Sequence, residues 1–421
     1  MDSIVIRGGA VLNGDVLVSG SKNAALPLLF STLLTSERCV LHNVPKLRDV
    51  RTAVAVLRHL GAHVEQSPDG HEMIVEARDI TCTEAPYDLV KTMRASFLVL
   101  GPLLARFGHA RVSTPGGCAI GARPVDLHLS GLERMGATLR IVEGYVEATA
   151  DRLHGAKIVL DFPSVGATQQ LMMAGSLACG TTIVENAARE PEIVCLARAL
   201  VSMGAVVDGA GSSVITIEGR PALNGEELSV IPDRIEAGTY MVAAAITGGA
   251  VRVLGARADH LDAFIAKLRE AGVAVHESES GVRVEAKGPL TAFDVKTMPY
   301  PGFPTDLQAQ CMALMTRATG TSTVTETIFE NRFLHAQELV RIGANVRVEG
   351  NRAIVRGPAP LSGAPVMATD LRASVSLLLA GLAAKGTTRV SRVYHLDRGY
   401  ERVEEKLRAL GADIVREAEP R

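Results

Sequence analysis

The stretch VLRHLGAHV, residues 56–64, decides how the chain is to be read, because its pattern recurs five more times. The copies are GLERMGATL (131–139), ALVSMGAVV (199–207), KLREAGVAV (267–275), ELVRIGANV (338–346) and KLRALGADI (406–414). Each is an amphipathic helix that ends in glycine and passes into a strand. The glycines are Gly61, Gly136, Gly204, Gly272, Gly343 and Gly411, spaced by 75, 68, 68, 71 and 68 residues. A fixed period of this kind signals internal duplication. The glycine falls just past the helix, where the chain turns through a left-handed conformation that a Cβ would strain.

Every repeat carries a second, more apolar segment, such as NAALPLLFSTLL (23–34), GATQQLMMAGSLACG (166–180) and RASVSLLLAGLAAKG (372–386). Segments apolar on all sides predict buried helices. Short β-branched strands follow most of them, as in GTTIVEN (180–186) and GTTRVSR (386–392). The reading is an α/β fold of six units, each about 70 residues of strands around a buried helix. The last unit stops at GADIVREAEPR without its trailing strands, and the opening SIVIRGGAVLNGDVLVSG supplies strands of that kind. This places one three-unit domain at 22–230 and a second at 1–21 plus 231–421, with crossings near 21 and 230. Cores stop growing near ~250–300 residues, which favours two domains over six units in one continuous array.

Composition excludes several classes of function. Apolar residues make up 47% of the 421, aromatics only 4%, and there is no Trp, so the core is aliphatic and platforms for stacking bases are scarce. The formal charge is −2 with no polybasic run, which argues against nucleic acid and anionic membranes as partners. The longest apolar runs fall short of the ~18 residues a spanning helix needs. No signal-peptide pattern opens the sequence, and the chain reads as soluble and cytoplasmic. The six cysteines, Cys39, Cys82, Cys118, Cys179, Cys195 and Cys311, are scattered without a CxxC pair. They read as reduced thiols rather than disulfides or zinc ligands, and no metal is expected. Apart from Cys118 they are expected only to pack. There is no GxGxxG, P-loop or HExxH.

Chemistry-bearing residues collect just before the buried helices. They are Lys22 and Asn23, Lys91 and Arg94, Ser164 and Gly166, Asp233 and Glu236, Asp306, and Asp370 with Arg372. Helix starts hold unpaired N–H groups and attract anions, while Ser, Thr and Asp there are also ordinary caps. Caps do not require Lys22, Arg94 or Arg372, so the basic residues point to an anionic ligand. In STPGGCAIGARPVDLHL (113–129), Cys118 follows two glycines and precedes Arg123. A neighbouring cation lowers a thiol pKa, which favours a reactive role over a buried one. His128 has no assigned part as its base.

The motifs SGSKNAALPLL, PGGCAIGARPVDLHLSGLERMGA, SVGAT, ENAAREPEI, PYPGFPTDLQAQ, TETIFENRFLH, ATDLRAS and HLDRGYERVEEKLRALGA occur in this order along the whole chain. Together they resemble the MurA-type enolpyruvyl transferases, the UDP-N-acetylglucosamine 1-carboxyvinyltransferases of the EPSP synthase superfamily. The resemblance implies an inverse α/β barrel, two similar domains of three units each, with the active site in the cleft between them. It implies transfer of enolpyruvyl from phosphoenolpyruvate to the 3′-hydroxyl of UDP-N-acetylglucosamine, with loss of phosphate and no cofactor. Cys118 matches the general acid and Asp306 the group that takes the hydroxyl proton. Lys22, Asn23, Arg123 and Arg398 match binders of phosphoenolpyruvate. Asn23, Arg94, Arg123, Pro124, Val125, Asp126, Leu127, Ser164, Val165, Gly166, Asp306 and Ile328 match binders of the nucleotide sugar. Glu190, Asp233, Asp370 and Arg372 match polar groups of the cleft whose roles stay open. Phe162 stands where some members carry Lys. Cysteine rather than aspartate at 118 implies sensitivity to the epoxide fosfomycin. Two rivals share the fold. Transfer to shikimate 3-phosphate does not use the Cys118 loop, and an inactive regulatory paralogue need not retain the full chemical set. An RNA 3′-phosphate cyclase, built of related units, calls for a basic surface that this chain lacks.

Overall fold

The structure, a computed structural model, describes residues 2–115 and 125–418. These form two compact units, one of residues 2–19 with 232–418 and one of residues 20–115 with 125–231. Each has its own aliphatic core.

Both units follow one plan. The unit of residues 20–231 buries the helices Lys22–Ser31, Leu100–Phe107 and Val165–Gly175. The other buries Arg234–Thr247, Gln308–Met315 and Val375–Ala383. Five of these are buried on nearly every face, and Leu100–Phe107 is buried over Leu100–Leu104, with Arg106 at its half-buried end. The amphipathic helices of the repeat lie outside, the most regular being Arg48–Leu60 and Pro191–Ser202. All six repeat glycines adopt φ between 88° and 106°, the left-handed turn that the recurring sequence anticipates. Helices inside and sheets outside make each unit an inverse α/β barrel.

There are six four-stranded sheets among the described residues, three to a unit. Each runs from a parallel edge pair into two antiparallel neighbours; in one, Lys157–Val159 lies parallel to Thr181–Glu185, followed by Val214–Glu218 and Val206–Asp208. Closure is circular. Glu227–Ser229 returns to pair with Arg38–His42, covering the edge of the first sheet of its unit. Asp2–Arg7 lies between Thr387–Ser391 and Asp413–Ala418 and completes the last repeat. Asn13–Leu17 joins Ala250–Leu254 instead, so the two N-terminal strands serve two different sheets rather than one repeat.

The central helices approach closely where a side chain is missing. A Cβ on Gly101 would come within 2.9 Å of both the backbone oxygen and Cγ of Gln170, so only glycine lets these helices meet. This contact positions Gln170, which in turn holds a residue of the candidate site.

Candidate functional site

Several of the expected site residues, among them Lys22, Ser164, Asp233 and Asp306, fall at or just before the starts of buried helices, and each unit presents its own cluster.

In the unit of residues 20–231, Lys22 opens the helix Lys22–Ser31 and is only 7% exposed. Its Nζ lies 3.4 Å from Asp49 Oδ2, on the outer helix Arg48–Leu60. Burial beside a carboxylate holds the ammonium in one place. Asn23 is half-buried beside it. Ser164 caps the helix Val165–Gly175, its Oγ accepting from the Ala167 N–H at 3.3 Å. The cap reading is therefore correct for Ser164, and the amides of this first turn remain oriented toward the helix start. Gly166 faces the ring of His128: an added Cβ would lie 3.0 Å from both Cε1 and Nε2. His128 is itself fixed, with Nδ1 2.9 Å from Gln170 Oε1 and the ring edge-on to Phe97 at 5.5 Å. Gln170 Oε1 accepts only, so Nδ1 carries the hydrogen and Nε2 is left toward Gly166. Burial lowers the His128 pKa to about 4; Gln170 and Asp126 oppose the shift and Arg94 adds to it. The ring is neutral at neutral pH.

Asp126 is exposed at the first turn of the helix Asp126–Arg134, between half-buried Val125 and Leu127. Arg94 is half-buried at the start of the turn Arg94–Val99, and Glu190 stands at the cap position of Pro191–Ser202. Phe162 is exposed and brings no charge to this region. Cys118, Arg123 and Pro124 lie outside the described residues.

In the other unit, Asp306 sits in the turn Thr305–Leu307 that leads into Gln308–Met315. Its Oδ1 accepts from Arg332 Nη2 at 2.7 Å. Burial works against the charge on Arg332, but Asp306, Asp370 and Glu326 around it raise its pKa above the usual guanidinium value. Buried Glu326 organises the surroundings. Its oxygens accept from Thr297 Oγ1, Thr305 Oγ1 and the Ile328 N–H, each at 2.8 Å. One carboxylate thus holds Ile328 and the turn of Asp306 side by side.

A second group lies around Arg372. Asp233 caps the helix Arg234–Thr247 through Oδ1, which accepts from Ile235 N–H at 2.8 Å and Glu236 N–H at 3.0 Å. Its Oδ2 accepts from Arg372 Nη2 at 2.7 Å. Arg372 Nη1 donates to Gly399 O at 2.8 Å, which anchors the residue after Arg398. Asp370 Oδ1 accepts from the N–H groups of Arg372 (2.8 Å) and Ala373 (2.7 Å). Asp233 and Asp370 are therefore caps as well as site candidates. Between the Asp306 and Asp370 groups lies His335, fully buried, its pKa pushed down to about 4 by burial against the pull of Asp370.

Asp49, Glu326, Arg332 and His335 were not singled out in the sequence. Arg332 and His335 lie in ENRFLH, where an arginine and a histidine before an amphipathic helix are the available signal; Asp49 and Glu326 leave none. One expectation needs correction. Cys39, Cys195 and Cys311 are buried and pack, but Cys179 is exposed and Cys82 only partly covered. Cys179 follows the buried helix at a chain reversal beside Gly180, where the backbone has left the core. Among the described residues no cluster of His, Cys, Asp and Glu is arranged to hold a metal, and no helix is long and apolar enough to cross a membrane.

The profile of the family described as EPSP synthase (3-phosphoshikimate 1-carboxyvinyltransferase) matches residues 6–407. The chain belongs to the EPSP synthase family. Within it, the chain is 59% identical over 416 residues to a UDP-N-acetylglucosamine 1-carboxyvinyltransferase of Solidesulfovibrio magneticus, covering 99% of this chain and 100% of that one. It is 59% identical over 417 residues to the enzyme of the same name from Granulibacter bethesdensis, covering 99% of each. Among solved structures, the enolpyruvyl transferase NikO from Streptomyces tendae superposes with a TM-score of 0.90 at 29% identity, covering 100% of this chain and 99% of that one. An EPSP synthase from Acinetobacter baumannii superposes at 0.77 with 19% identity, covering 99% of this chain and 100% of that one, which bears on the fold alone.

Proposed function

We propose that this chain is a UDP-N-acetylglucosamine 1-carboxyvinyltransferase. It transfers enolpyruvyl from phosphoenolpyruvate to the sugar 3′-hydroxyl and releases phosphate, committing the sugar to peptidoglycan. The observation that carries the reading is 59% identity along the full length of enzymes of that name. The more distant EPSP synthases share 19%, so shikimate 3-phosphate is not the favoured acceptor.

The residues are assigned by their chemistry. Lys22, Asn23, Arg123 and Arg398 bind phosphoenolpyruvate, whose carboxylate and phosphate suit guanidinium forks and a buried ammonium. The first turn at Ser164, Val165 and Gly166 binds the nucleotide sugar together with Arg94, Val125, Asp126, Leu127 and Ile328. The N–H groups of Val165 and Gly166 suit a diphosphate. In the addition step Asp306 takes the 3′-hydroxyl proton. The oxygen attacks C2 of phosphoenolpyruvate, and Cys118 delivers a proton to C3. A positioned acid of this kind contributes ~10²–10⁴ in rate. In the elimination step the C2–O bond to phosphate breaks, phosphate leaves, and the methyl group returns a proton to the Cys118 thiolate as the double bond re-forms. Arg332 keeps the Asp306 carboxylate oriented for its role. Asp233, Asp370 and Arg372 hold the backbone beside Arg398, and Glu190 is a polar group at the helix start Pro191–Ser202 in the other unit.

The substrates are small anions, and the reading requires no protein, nucleic acid or membrane partner. A cytoplasmic location suits a chain whose described cysteines are all free thiols.

The test is phosphate release from phosphoenolpyruvate, with and without UDP-N-acetylglucosamine, for the parent chain and Cys118→Ala. Release that needs both substrates and collapses in the variant is the expected result. Release that needs neither the nucleotide sugar nor Cys118, or that follows shikimate 3-phosphate instead, overturns the reading.

A further inference from the structure

Tyr400 and Gln310 carry a buried polar network that none of the assignments above uses. The Gln310 amide nitrogen lies 2.9 Å from Asp306 O, 3.1 Å from Tyr400 Oη and 3.3 Å from Thr239 Oγ1. Thr239 Oγ1 is 2.9 Å from Tyr400 Oη and 2.8 Å from Ile235 O. Gln310, Thr239 and Tyr400 are all buried.

The protons can be assigned in full. Ile235 O only accepts, so Thr239 donates to it. Tyr400 then donates to Thr239, and its oxygen accepts one hydrogen of the Gln310 amide. The other amide hydrogen goes to Asp306 O. Burial raises the Tyr400 pKa to about 12, so the phenol keeps its proton through the neutral range. Gln310 Oε1 makes no hydrogen bond among the described residues, so the link runs through the amide nitrogen alone. From the other side, the Arg372 guanidinium sits 5.1 Å from the Tyr400 ring centre while bonding Gly399 O at 2.8 Å. The turn Val393–Arg398 ends directly before these two residues.

We propose that Tyr400 and Gln310 are positioning residues that hold the turn of Asp306 and the turn of Arg398 in one register. The inference rests on the enolpyruvyl-transfer reading for the meaning of those two turns. Gln310 joins the Asp306 main chain to Tyr400 in a single amide, and Tyr400 is two residues beyond Arg398. A shift of either turn must break this link or carry the other turn along. Both side chains are buried inside the unit. Their effect falls on the geometry of the reacting step, which is sensitive to displacements of about 1 Å.

The test compares the parent chain with Tyr400→Phe, Gln310→Met and the double variant. Both changes keep shape and remove the polar partner, and removing both partners of a buried bond is nearly neutral for stability. The expected result is a fall in kcat of about fivefold in each single variant, the size of one net hydrogen bond. The KM for each substrate stays within twofold, and the double variant falls no further than the singles. A kcat within twofold of the parent in either single variant, or a double variant that falls as the product of the two, overturns the proposal. A structural role alone moves the urea midpoint and leaves kcat in place.

Hydrogen exchange supplies a readout that needs no turnover. In Tyr400→Phe, exchange in 306–311 and in 396–401 is expected to rise together; a rise confined to 396–401 refutes the link. A parent chain inactive with both substrates counts against the enolpyruvyl-transfer reading, whereas the exchange pattern judges the link by itself.

Discussion

Arg372 and Asp233 meet inside their unit at 2.7 Å, with 1% and 3% of their side chains exposed. The remaining Arg372 bond to Gly399 O and the Asp233 cap bonds replace part of what burial removes from water, while the buried Arg372 Nε makes no hydrogen bond among the described residues. Such a pair adds little over an apolar replacement, yet removing one member leaves a charge stranded in the core. Arg372→Ala is expected to cost about 3–5 kcal/mol in urea denaturation. A loss below about 1 kcal/mol, the scale of an exposed pair, contradicts the buried geometry.

Stability should depend on pH through His128. Its pKa is about 4 in the folded chain against 6.5 when unperturbed. A depressed folded pKa means a contribution fully present above pH 6.5 and lost as pH falls through 4. The span corresponds to roughly 3 kcal/mol. Beside burial, Gln170 and Asp126 favour the ring charge and Arg94 opposes it. Urea midpoints measured from pH 7 to pH 4 should fall more steeply for the parent than for His128→Gln. Equal slopes would show that the ring takes up its proton without cost.

Gly166→Ala tests the packing of that same ring. The new Cβ would meet Cε1 and Nε2 of His128 at 3.0 Å, and Gln170 and Phe97 prevent the ring from retreating. Overpacking of this kind costs about 1–3 kcal/mol. The KM for the nucleotide sugar should rise while that for phosphoenolpyruvate holds. Adding His128→Ala should restore the urea midpoint in part; no recovery would place the clash elsewhere.

Arg332→Lys should lower kcat by about tenfold or more, because an ammonium cannot reproduce the directed guanidinium bond to Asp306. Arg332 donates to Asp306 at 2.7 Å from a nearly covered position. Steady-state phosphate release measures the effect, and retention of more than half the parent rate would remove Arg332 from the site.

Much of the fold was legible because its signals are local. The repeat glycines, the all-apolar helices and the β-branched strands each express a preference of a few adjacent residues, and duplication repeated the message six times. Candidate residues at helix starts were legible for the same reason, though capping and ligand binding ask for similar side chains. Asp233 and Asp370 serve as caps, which residue type alone does not separate from a site role. His128 was read without a role, because its fixed ring and neutral state depend on Gln170 and Phe97.

By itself, then, the sequence determined the six units, the central helices, the family, and the set of charged and nucleophilic residues along the chain. Tertiary structure decided which of these meet. Arg372 bonds Asp233 across 139 positions of sequence, Tyr400 bonds Gln310 across 90, and His128 bonds Gln170 across 42. Periodicity tells which face of a helix is covered but not what covers it. Buried hydrogen bonds need atoms within about 3 Å, a condition set by the packing of whole helices.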